Sequence, residues 1–137
     1  MIKRTSLVVA TSLTIGLVAG AALDHTLGAQ QTPITRTMLL TTDDPAAPST
    51  SQLVMAMVEV APGGQSGKHR HPGIEIGYVL DGSLDLEYEN GTKVTANTGQ
   101  TFRNEGVHNG INRGTKPAKL LAVYAVEKGK PLTEAVQ

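Results

Sequence analysis

Residues 63–82 read Gly-Gly-Gln-Ser-Gly-Lys-His-Arg-His-Pro-Gly-Ile-Glu-Ile-Gly-Tyr-Val-Leu-Asp-Gly. His69 and His71 stand two apart, Glu75 follows four residues later, and glycine brackets both ends. His108 lies far downstream in a second glycine-rich stretch, so three of the four histidines fall into one constellation. In an extended strand, side chains at i and i+2 share a face roughly 6.6 Å apart. Two imidazoles at that separation can lean onto one ion at about 2.0–2.2 Å each. On a straight strand Glu75 would lie about 13 Å beyond His71, too far to share it. Pro72-Gly73 falls in that interval and can bend the chain back. His108 must then come from a strand distant in sequence and near in space. A closed β-barrel provides that arrangement.

The remaining sequence is punctuated as such a barrel requires. Ile34 to Thr42 is β-branched and reads as an outer strand. Asp43 to Ser51, with Pro45 and Pro48, reads as a loop. Leu53 to Val60 is an apolar run stopped by Pro62-Gly63, short enough for a buried strand. Met55 and Met57 within it read as core filling rather than as soft metal ligands. Ile74 to Leu80 is the next strand, and Asp81-Gly82 signals a two-residue hairpin. Ser83 to Tyr88 alternates strictly, with Leu84, Leu86 and Tyr88 on one face and Ser83, Asp85 and Glu87 on the other. Asn90-Gly91 signals a hairpin into Thr92 to Ala96, and Asn97-Thr98-Gly99 turns the chain again. Gln100 to Arg103 is a short strand, Asn104 to Gly106 a loop, and His108 to Asn112 carries the third histidine. Lys119 to Val126 is a long apolar strand, and Glu127 to Gln137 reads as a polar tail. Closely spaced strands with turn chemistry between them predict an all-β, single-domain antiparallel barrel or jelly roll spanning residues 30–137.

Residues 1–29 read as an export signal: Lys3 and Arg4, then an apolar run from Leu7 to Leu23, with Leu27-Gly28-Ala29 as the cleavage end and Ala22 as a second. The alternative is an uncleaved membrane anchor, for which the run is at the short end. The expected location is periplasmic or secreted, with the metal acquired there. Lysine plus arginine and aspartate plus glutamate both total 12, so no charge field points to nucleic acid. There is no cysteine, so any metal must be held by nitrogen and oxygen.

The first constellation resembles the first signature motif of the cupins, in which a glycine, five residues, His-x-His, three or four residues, a glutamate, six residues and a glycine follow in order. Gly63, His69, His71, Glu75 and Gly82 meet each fixed position. Gly99, Gly106, His108 and Asn112 resemble the second motif, although its usual proline is absent and Asn104 and Glu105 occupy that region. The resemblance runs from about Met38 to Leu132. It implies that His69, His71, Glu75 and His108 bind one divalent transition metal ion: iron, manganese, zinc, copper or nickel. It also implies a homodimer formed through the outer strand.

Two readings of Glu75 are open from the residues alone: a metal ligand, or a surface ion pair with Lys68 or Arg70. Glu105 precedes His108 by three and is a candidate catalytic acid or base, or else a solvated loop carboxylate. Arg70 should face away from its two histidine neighbours. Asn112 reads as tying a strand end, and Tyr78 as a core or rim residue. Three functions fit: a dioxygenase-like oxidoreductase acting on a small organic molecule, a redox-neutral isomerase or lyase, and a module that captures a small ligand or metal without turnover.

Overall fold

The computed structural model describes residues 34–137, so the export segment read at residues 1–29 lies outside the described residues. The described chain holds ten strands and no helix. They are β1 (Ile34–Asp43), β2 (Ser51–Val60), β3 (His69–Arg70), β4 (Gly73–Asp81), β5 (Ser83–Tyr88), β6 (Lys93–Asn97), β7 (Thr101–Asn104), β8 (His108–Ile111), β9 (Ala118–Glu127) and β10 (Glu134–Ala135). One sheet runs in the order β1-β2-β9-β4-β7 and the other β10-β3-β8-β5-β6. Every strand pairing is antiparallel, as the jelly-roll reading expects.

Alternation explains which residues form the core. On β2, Val54, Ala56, Val58 and Val60 are buried; on β9, Ala118, Leu120, Ala122, Tyr124 and Val126 are. These two strands pair along their whole length, and Ala56 sits opposite Ala122. Leu84 and Leu86 close the core from β5, and Phe102 from β7. The Phe102 ring lies where a side chain on Gly77 would be, so the two residues pack as one unit across β4 and β7.

Several expectations are corrected. Asp81-Gly82 is not a hairpin: β4 and β5 belong to different sheets, and the bend carries the chain from one to the other. Gly82 has φ +81° and lies against the Ala118 backbone, with only 3.1 Å to spare for a β-carbon, which explains the turn-like residue at a crossing. Asn90-Gly91 does close a hairpin, between β5 and β6. Met55 and Met57 are not core filling; they alternate with the buried residues and stand partly exposed on the outer side. Tyr78 also faces outward, with Ile76 and Leu80. The polar tail is not free, since β10 pairs with β3.

Candidate metal centre

β3 and β8 bring two histidines together directly, because His69 and His108 are cross-strand partners. The strand assignment ends at Arg70, but alternation continues one residue further. His69 and His71 are buried, and Arg70 between them points outward to pair with Glu134 at 2.9 Å. Pro72-Gly73 then passes the chain into the opposite sheet, where Glu75 lies on the buried face of β4. Gly73 packs so closely on the Ala125 carbonyl that a β-carbon would collide with it. The bend therefore places Glu75 across the barrel from β3 and β8.

The three imidazoles share one hydrogen-bond scheme. Nδ1 of His69 meets the Gly67 carbonyl at 2.9 Å, Nδ1 of His71 the Leu132 carbonyl at 2.6 Å, and Nδ1 of His108 the Gly106 carbonyl at 3.0 Å. A carbonyl only accepts, so each Nδ1 carries the proton and each Nε2 presents a lone pair. The rings converge, with centroids 4.3–5.2 Å apart. One nitrogen from each lies within 4.8 Å of the others. His71 Nε2 is buried without a hydrogen-bond partner. A buried unsatisfied nitrogen is costly unless something else takes its lone pair. The donor set fits a divalent first-row ion: aligned neutral imidazoles, a carboxylate beside them and no thiolate.

Glu75 Oε2 lies 3.3 Å from His71 Nε2 and 3.5 Å from His108 Nε2. Asn104 donates to the same oxygen at 2.6 Å, and Tyr88 donates to Asn104 at 2.8 Å. Burial pushes the Glu75 carboxyl up, but without a metal the facing His108 and His71 rings, once protonated on Nε2, and the hydrogen bond from Asn104 outweigh it and hold the group well below the usual carboxylate range. His69 is pulled down to about 4, first by burial and then by the neighbouring imidazoles and Arg36, against its bond to Gly67. Burial, then Glu75, push the Tyr124 hydroxyl up. The ion pair of Glu75 with Lys68 or Arg70 does not form.

Glu105 is not brought into this cluster. It is exposed and pairs with Arg103, which is also exposed. Asn112 ties a strand end: its Nδ2 donates to the Val60 and Lys116 carbonyls, both at 2.8 Å. Four residues at the centre were not singled out from the sequence. Asn104, placed in a loop by the sequence reading, is the buried last residue of β7 and grips Glu75. Leu132, in the tail, orients His71 through its carbonyl. Tyr124 and Arg36 line the cavity beside His69, Glu75 and His108. The phase of burial along β9 and β1 was the signal that places them.

Comparisons with known proteins agree with this architecture. A family model described as a cupin domain matches residues 56–124. No curated protein matches the chain. Among solved structures, a conserved protein with a double-stranded β-helix domain from Klebsiella pneumoniae is similar at 24% identity and TM-score 0.59, covering 74% of this chain and 84% of its own. The polyketide cyclase RemF from Streptomyces resistomycificus is similar at 21% identity and TM-score 0.58, covering 76% and 71%. An oxalate oxidase is similar at 24% identity and TM-score 0.59, covering 79% of this chain and 57% of its own. These likenesses show a shared fold.

Proposed function

Because the chain belongs to the cupin domain family, we propose that it is an exported metal-binding cupin that transforms a small organic molecule as a dioxygenase-like oxidoreductase. The observation that carries this reading is the common scheme of the three histidines: each Nδ1 is committed to a carbonyl, which leaves three Nε2 lone pairs for one ion. His69, His71, His108 and Glu75 would hold it. A divalent ion there supplies Lewis acidity and a template for substrate oxygen and, if redox-active, a route for electrons between substrate and dioxygen.

The chain's own residues set the conditions. Glu75 contributes the negative charge, and Asn104 keeps its carboxylate oriented. Leu84, Leu86 and Phe102 give the cavity apolar walls. A redox-neutral isomerase or lyase is the second reading, favoured by Tyr124. Its buried hydroxyl lies beside Glu75, and burial keeps it protonated, so it can hand a hydrogen bond or proton to a bound molecule.

Elemental analysis of the mature protein, followed by dioxygen uptake across a panel of small organic molecules, tests the proposal. Uptake with iron or copper bound supports the oxidoreductase. Activity that survives exchange of iron for zinc supports the redox-neutral reading, and tight binding without product leaves a capture module. Metal at far below one equivalent would overturn both enzymatic readings.

Export rests on residues 1–29, and sequencing the mature N-terminus from the native compartment checks it. The homodimer also belongs to this proposal. β1 is an edge strand ten residues long that exposes Met38, Leu39 and Leu40. An open apolar edge of this kind invites pairing with a second copy. A monomer mass by light scattering would exclude it.

A further inference from the structure

Arg36 lies on β1 opposite the buried Val58, and its side chain turns into the cavity that His69, Glu75, His108 and Tyr124 also line. Its Nε is buried and has no hydrogen-bond partner. It forms no salt bridge among the described residues. The Tyr124 hydroxyl is likewise buried and unpartnered. Among the described residues, three buried side-chain polar atoms lack a partner. Two of them line this one cavity, and the third, on His71, belongs to a ring 4.9 Å from the Tyr124 ring. Native interiors rarely leave such atoms unsatisfied, and Arg36, although half-buried, turns its Nε inward with no acceptor.

Charge points the same way. Three neutral imidazoles and one carboxylate around a divalent ion leave one positive charge in excess, and Arg36 adds a second. A ligand carrying negative oxygen would meet both. We propose that the cavity binds a small carboxylate, gripped by the Arg36 guanidinium and by a hydrogen bond from the Tyr124 hydroxyl; this deepens the metal-centre reading above and rests on it. Arginine's planar fork matches a carboxylate with two parallel hydrogen bonds. The free room is about 30 Å³, roughly one or two waters. That admits a flat carboxylate head and leaves the rest of the molecule on the open side.

The test titrates the zinc-loaded mature protein by calorimetry with propionate against propionamide, and lactate against lactamide. The acids should bind at least roughly tenfold tighter than their amides, as a charged hydrogen-bonded pair requires. Arg36→Gln should remove that preference, and Tyr124→Phe should reduce it, with zinc stoichiometry unchanged. Arg36→Lys keeps the charge without the fork and should fall between wild type and Arg36→Gln. If Arg36→Gln does not fold, weakened acid binding in a normally melting Arg36→Lys still supports the proposal, and unchanged acid binding there overturns it. Acids that bind no tighter than amides, or a preference that survives Arg36→Gln, also overturn it. Failure to take up zinc would instead count against the metal centre. The same titration on metal-free protein then decides the carboxylate site by its dependence on Arg36.

Discussion

Glu75 and Glu87 are both held below the usual carboxylate range, and the causes differ. Glu75 is buried between the two sheets, where the facing His108 and His71 rings, once protonated, and the hydrogen bond from Asn104 overcome the penalty of burial. Glu87 lies on the outer side of β5, within reach of water, where first Lys93 at 2.9 Å and then Arg113 at 2.9 Å favour its charge. Arg113 also reaches Asp85, and Thr95 donates to that aspartate. The outer network therefore has more ion pairs than the inner one. The inner one is buried, and desolvation multiplies what each contact is worth. A charge cluster inside an apolar barrel needs a purpose, whereas one on an outer face needs none.

The largest expected effect is at the imidazoles. His69→Ala or His71→Ala should abolish stoichiometric metal, because each removes one Nε2 and leaves too few donors. Elemental analysis of both variants checks this, and full occupancy would erase the distinction between the two glutamates' surroundings.

Acid should separate the regions next. The folded protein holds His69 down to about 4, against an ordinary 6.5. Above pH 6.5 both folded and unfolded chains leave it neutral, and it contributes nothing. As pH falls from 6.5 towards 4, the unfolded chain takes the proton and the folded chain does not, so stability declines. Glu75, whose folded value is depressed, stabilises above its ordinary range and loses that contribution as pH falls through the folded value. Both shifts run the same way. Between pH 7 and pH 5 the metal-free protein should lose roughly 2 kcal/mol from His69. Urea melts at the two values measure it, and equal midpoints would show that burial does not govern that histidine. Bound metal should leave over the same range, because coordination requires neutral imidazole.

Asn104→Ala should come third. It strips the hydrogen bond from Glu75 and leaves Tyr88 only the longer contact to the Arg103 carbonyl, at 3.3 Å. A supporting residue of this kind is worth roughly 10- to 100-fold in metal affinity. Competition with a chelator reads the change, and an unaltered affinity would make Asn104 a packing residue only.

The legibility of these residues follows from how locally each is determined. His69, Arg70 and His71 obey alternation, which needs only neighbours in sequence, and the bend at Pro72-Gly73 is local chemistry. The alternating strands and the Asn90-Gly91 hairpin are local in the same sense. Asp81-Gly82 misled because the same two residues suit a hairpin and a passage between sheets. Which one forms depends on where β9 lies, and that strand comes almost 40 residues later. Asn104, Tyr124 and Arg36 depend on the phase of their strands against partners far along the chain. Leu132 acts through a carbonyl, which side-chain identity cannot reveal.

The smallest expected effect is on the outer network. Arg113→Ala removes ion pairs with both Asp85 and Glu87, yet all three groups reach water. Exposed pairs of this kind contribute little and are screened by salt. The variant should melt within a few degrees of wild type and bind metal equally well. Raising the salt should return Glu87 towards its ordinary titration, followed by NMR, since Lys93 and Arg113 lower it through solvent-accessible contacts. The contrast with Glu75 requires that salt leave metal affinity unchanged over the same range. If Arg113→Ala destabilised the protein as strongly as acid does, the outer sheet face would be part of the scaffold for His108. β8 and β5 would be the connection, since His108 pairs with Tyr88, the residue after Glu87.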